Sequence, residues 1–186
     1  MSHKPYPMPA AKLTYRFVTP YGPFSAKELA VALERNLIDG TDAAQILEDQ
    51  LDAENRPFET WQIIERLRAS DGSDRAAIVH DLIELSSGAG NPLWRWILLL
   101  AKEALQRYDD DKDIIAVLDQ LWGDYERPLE FRPYTAIGNV TESRRIVDED
   151  DLRLLAESTP DKAASRAIVT AVRQLLDREL ESRRRS

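Results

Sequence analysis

The sequence predicts an all-α protein: a compact, irregular multi-helix domain of seven or eight helices, with a proline-rich N-terminal arm and a long C-terminal helix. Three observations predict it. Apolar residues recur at three- and four-residue spacings along most of the chain, the mark of a helix with one buried face. Strong helix-start signals precede those stretches, above all Ser25 with Glu28 and Asn91 with Pro92. Period-two alternation, which a half-buried strand needs, is confined to residues 13–18.

The elements follow in order. Pro5, Pro7, Pro9, Pro20 and Pro23 exclude a helix across residues 1–23, which read as an extended arm with one short strand at 13–18 and a turn at 20–23. Ser25 and Glu28 make a capping box, with Phe24 and Leu29 at the staple positions. Leu29, Leu33 and Leu37 are the buried stripe of this helix, and Gly40 is its expected stop. Thr41 caps the next helix, which turns Ile46, Leu47 and Leu51 inward. Pro57 opens a helix with Phe58, Trp61, Ile64 and Leu67 on one face, and Ser73 caps another carrying Ile78, Val79, Leu82, Ile83 and Leu85.

Asn91 and Pro92 then start a helix that is apolar nearly all round, from Trp94 through Leu100, and this is the expected central buried helix. Trp94 and Trp96 lie two apart and so point to different sides. After an acidic connection, Ile114, Val117, Leu118, Leu121 and Trp122 mark a further helix, limited by Pro128. Residues 128–147 are the least helical stretch of the second half, pinned by Phe131 and Tyr134. A short acidic-headed helix begins at 148, and Thr159 with Pro160 caps the last, whose seam is Ala164, Ile168, Ala171 and Leu175 beside Val172 and Leu176. The chain divides into an arm (1–23), a helical domain (24–158) and a C-terminal helix (159–186).

Charge narrows the function. The net charge of −8 is uneven: residues 1–37 carry 5 basic and 2 acidic side chains, residues 38–158 carry 13 and 27, and residues 159–186 carry 7 and 4. A middle with that acidic excess does not suit a phosphate backbone, and nucleic acid is not an expected partner. It suits a basic protein. No apolar run approaches a membrane span, no signal-peptide pattern opens the chain, and cysteine is absent. A cytoplasmic location is expected.

No catalytic, cofactor or metal constellation is expected. The 7 glycines form no phosphate-binding loop. Of the two histidines, His80 has Asp81 beside it and Glu84 four residues on, a base-and-orienter spacing without a nucleophile or metal set nearby. Asp109, Asp111 and Asp113 alternate like the start of a calcium loop, but the twelfth position is Gln120 rather than Glu and no glycine sits sixth. The four tryptophans lie among aliphatics, as core residues do.

The motifs around Trp94, Trp96 and Trp122 resemble those of an uncharacterised bacterial family of small helical proteins, classed as a domain of unknown function. The likeness covers about residues 20–140. It rests on the proline-led helix with Trp94 and Trp96, on Trp122, Asp124, Tyr125 and Pro128 at the close of the next helix, and on the opening hairpin at 24–51. The resemblance implies an α-helical fold without known catalytic residues. Size and acidity also resemble those of immunity proteins that neutralise bacterial toxins. The expected function is therefore a non-catalytic protein-binding module, an immunity-type inhibitor of a basic toxin-like partner. Its acidic surface is drawn from Asp109, Asp110, Asp111 and Asp113, or from Asp148, Glu149, Asp150 and Asp151. The alternatives are a structural or adaptor protein that homodimerises through the last helix, and a hydrolase using His80 and carboxylates.

Overall fold

The computed structural model describes residues 7–51, 57–69, 74–86, 91–125, 128, 131–135 and 162–181. The protein is all-α, and no strand occurs among the described residues. The described helices are α1 (Tyr15–Val18), α2 (Ala26–Glu34), α3 (Gly40–Gln50), α4 (Phe58–Ala69), α5 (Arg75–Glu84), α6 (Trp94–Arg107), α7 (Asp111–Asp124) and α8 (Lys162–Leu176). Short 3₁₀ turns follow at Thr19–Tyr21 and Arg132–Tyr134, and a π-helical turn at Asp177–Glu181 continues α8. Two compact units are present: Ala11–Trp96 with Leu180–Ser186, and Met1–Ala10 with Ile97–Glu179.

In the unit containing α1 to α5, α2 packs on α5 and α3 on α4, with α4 also beside α5 and α1 against α3. The capping box forms as expected: Ser25 Oγ accepts from the Glu28 amide and Glu28 returns the bond to the Ser25 amide. Leu29, Leu33, Ile64, Ile78 and Leu82 are fully or almost fully buried, so the helix faces read from the spacing are largely the observed core.

Several expectations are corrected. Residues 15–18 are helical rather than extended, because the prolines leave residues 10–19 free and Pro20 suits the start of the 3₁₀ turn. Leu13 and Val18 are buried, and the Leu13 amide donates to the Leu37 carbonyl. Gly40 does not stop α2. The chain reverses at Asn36, which takes φ 58°, and Gly40 is instead the first residue of α3. A Cβ at Gly40 would lie 3.0 Å from the Leu67 carbonyl oxygen of α4, so a side chain here would crowd that backbone. The residue before α3 is Asp39, not Thr41. The residue before α5 is Asp74, and Ser73 lies outside the described residues. Phe58 is 68% exposed, while Ile83 and Leu85 also face outward. The faces of α4 and α5 are narrower than the apolar pattern, and centre on Ile63, Ile64 and Leu67, and on Ile78 and Leu82.

In the other unit, Ile97 to Ala101 of α6 are buried, with Ile114, Val117, Leu118 and Leu121 of α7. The helix α8 packs on α7 and on the Arg132–Tyr134 turn, where Phe131 is fully buried. Its buried face is Ser165, Ile168, Val169, Val172, Leu175 and Leu176. Ala164 is exposed, so the observed seam is rotated from the expected one. Near the N-terminus, the Tyr108 hydroxyl accepts from the Met8 amide (3.1 Å) and donates to the Met8 carbonyl (3.0 Å).

Asn91 begins α6 slightly later than the proline suggested. Its Oδ1 accepts from the Leu93 amide and its carbonyl from the Trp94 amide, so Pro92 sits in a turn before the helix proper. The two tryptophans diverge as expected, Trp96 fully buried and Trp94 partly so.

Candidate functional site

The acidic head of α7 is the described part of the expected partner surface. Asp110 is the N-cap, its Oδ1 accepting from the Lys112 amide at 2.9 Å. Asp111 and Asp113 lie in the first turn, where carboxylates offset the positive end of the helix. Asp109 and Asp110 are exposed, and Asp111 and Asp113 partly so. These four carboxylates thus stand at the head of α7, two before it and two in its first turn, and Asp110 has a local structural task. Asp148, Glu149, Asp150 and Asp151 lie outside the described residues.

His80 stands on the open surface of α5, its side chain 72% exposed, with Nδ1 3.8 Å from Asp81 Oδ1. Asp81 also pairs with Arg66 of α4. A base there faces bulk water rather than an enclosed substrate. The face of α8 that a homodimer would use is buried within its own unit against α7. Among the described residues no group of three or more histidines, cysteines or carboxylates has the arrangement of a metal site. No described helix is long and apolar enough to cross a membrane.

A second polar site appears where the sequence reading placed none. A cavity of about 330 Å³ lies between the Thr19–Phe24 turn and the last turn of α3. Phe24 and Ile46, each only 3% exposed, form its apolar floor, and Thr19, Asp49 and Gln50 its exposed rim. Gln50 spans the rim like a strand partner. Its Oε1 accepts from the Phe24 amide and its Nε2 donates to the Phe24 carbonyl (2.8 Å). Asp49 accepts from the Tyr15 hydroxyl on Oδ2 and from Gln45 Nε2 on Oδ1 (3.1 Å). That hydrogen bond to Asp49, with a smaller contribution from burial, raises the Tyr15 phenol above its ordinary pKa and keeps it a donor. The Gln45–Asp49 pair has the i, i+4 spacing of a helix surface and is visible in the sequence. Tyr15 and Phe24, 34 and 26 residues from their partners, are brought there only by folding.

Behind the same turn lies a buried cluster with a structural role. Trp96 stacks on Phe24 with ring centroids 5.0 Å apart, and its indole Nε1 donates to the Glu28 carbonyl at 2.8 Å. Arg95 lies over the other part of that environment, its guanidinium 4.9 Å from the Phe24 ring centre, 3.1 Å from Glu28 Oε1, and donating to the Pro23 carbonyl. The Arg95 and Glu28 side chains are only 11% and 12% exposed.

Comparison of the chain with protein-family models, with curated proteins and with solved structures found no match.

Proposed function

We propose that the protein is a non-catalytic protein-binding module, an immunity-type inhibitor that presents the acidic head of α7 to a basic partner. The observation that supports this reading is the run of Asp109, Asp110, Asp111 and Asp113 at the head of one helix, the first two of them exposed. Capping explains Asp110 without a partner, but capping needs only one of the four. Asp109 and Asp111 are the ones offered to a basic protein, and such contacts act mainly through steering and salt-sensitive association.

The experiment compares the wild-type chain with Asp109→Asn/Asp111→Asn as baits in the native host, at low salt and with a high-salt elution. Asp110 is left in place so that α7 keeps its cap. One basic protein that elutes with salt from the wild type and is depleted from the variant supports the proposal. Equal recovery on both baits removes this surface from consideration.

A further inference from the structure

We infer that the groove between the Thr19–Phe24 turn and α3 is a receptor for an organic cation, a primary ammonium or guanidinium group on an apolar stem, with Asp49 as its counter-charge.

The first argument is charge. Most carboxylates tied down in this unit meet a cation: Asp39 meets Lys12, Glu48 meets Arg68, Asp81 meets Arg66 and Glu28 meets Arg95. Asp49 is held just as firmly, but by two neutral donors, the Tyr15 hydroxyl and the Gln45 amide. Neutral donors orient a carboxylate without cancelling its charge. Each of its oxygens keeps a further acceptor direction. Among the described residues Asp49 makes no ion pair.

The second argument is shape. A cavity of about 330 Å³ is at the small end of the range for ligand pockets, roughly 300–1,000 Å³. It has room for one side-chain-sized group. Its floor of Phe24 and Ile46 is apolar, so the stem of the ligand rests there while the charged head reaches the rim. Gln50 has both ends of its amide committed to the Phe24 backbone, which leaves Asp49 as the charged recognition group and makes the wall rigid before anything binds. A hard metal ion is a poor occupant, because it seeks about six oxygens and one carboxylate does not supply them. This site does not rest on the head of α7.

The test is calorimetric titration of the full chain at low salt with benzylammonium, with benzyl alcohol as its neutral counterpart, and with N-acetyl-arginine amide. The expected result is binding of at least one of the two cations, about ten-fold tighter than the alcohol, as for one charge-assisted hydrogen bond. Asp49→Asn is expected to abolish that preference, with an unchanged melting temperature because the side chain is exposed. Tyr15→Phe, which leaves the charge but loosens it, is expected to lose about three-fold, as for one neutral hydrogen bond. Binding of benzylammonium points to a free amine as the source. Binding of the arginine amide alone points to a side chain of a protein. If the alcohol binds as well as the cations, if neither cation binds, or if Asp49→Asn keeps the preference, the inference is overturned.

Discussion

Glu28, Glu48 and Asp81, in the unit that holds α1 to α5, each meet an arginine from another helix, whereas Asp110 and Asp111 stand at the start of their own helix and, among the described residues, neither they nor Asp109 pairs with an arginine. Glu48 and Asp81 count toward the acidic excess of the middle of the chain as much as the three aspartates do. They differ in what a partner can use. In the first group the charge is spent on joining elements, and for Glu28 and Arg95 it is spent in near-complete burial. In the second it offsets a helix end and otherwise faces water. A count of acids along a sequence therefore overstates the acidic surface, and tertiary pairing decides which carboxylates remain for binding.

The largest expected effect tests the buried end of this contrast. Trp96→Ala removes a fully buried ring, its stacking on Phe24 and its bond to the Glu28 carbonyl, and is expected to cost about 4 kcal/mol in denaturant unfolding. Arg95→Met comes next. It keeps the bulk but takes the cation away from the nearly buried Glu28 carboxylate, whose Oε2 keeps its bonds from Ser25, and about 3 kcal/mol is expected to be lost. A cost near zero would place this pair with the exposed ones and erase the difference between the two acidic groups.

At the head of α7 the effects are smaller and separate capping from surface charge. Asp110→Ala is expected to lower stability by about 1 kcal/mol, as for an N-cap. Asp109→Asn, one residue away, is expected to change it by less than about 0.5 kcal/mol. Equal losses would mean that both residues serve the helix and that neither is reserved for a partner.

The smallest effect is a pH dependence. Glu103 of α6 binds Arg107 through Oε1, while Oε2 is buried with no hydrogen-bond donor among the described residues. Burial raises its pKa above the usual carboxylate range, and the Arg107 charge only partly opposes this. A raised folded pKa means that the fold prefers the protonated acid. The stabilisation this brings is complete below the unfolded pKa and is lost as pH rises through the folded value. Glu103→Gln is therefore expected to melt higher than the wild type at neutral pH and level with it in acid. The reverse order, a variant less stable at neutral pH, would show that the Arg107 pair outweighs burial.

Much of the helical architecture was legible in the chain. The capping box at Ser25 and Glu28, the buried run from Trp96 to Leu100 and the opposed directions of Trp94 and Trp96 all follow from local spacing, and all are observed. Phe58, Ile83 and Leu85 were misread because periodicity reports which residues are apolar, not how wide a face the neighbouring helix covers. Gly40 was misread for a similar reason. The room for a side chain there is limited by the Leu67 carbonyl of α4, a neighbour 27 residues away that local sequence does not show. The acidic head of α7 was legible as a charge cluster. The cap formed by Asp110 was not separated from the rest of it.

By itself the sequence determined the helical class, the start of α2 and most of the side chains the helices bury, because hydrogen bonding within a helix and one apolar face are local properties, written at spacings of three and four. Only the tertiary structure decided which acids are neutralised by arginines, which side of α8 is already covered, and that Phe24, Asp49 and Gln50 line one groove with the Tyr15 hydroxyl bonded to Asp49. Those outcomes depend on helix pairs meeting across tens of residues, and the energy of each contact is set by burial and geometry that no short stretch of chain contains.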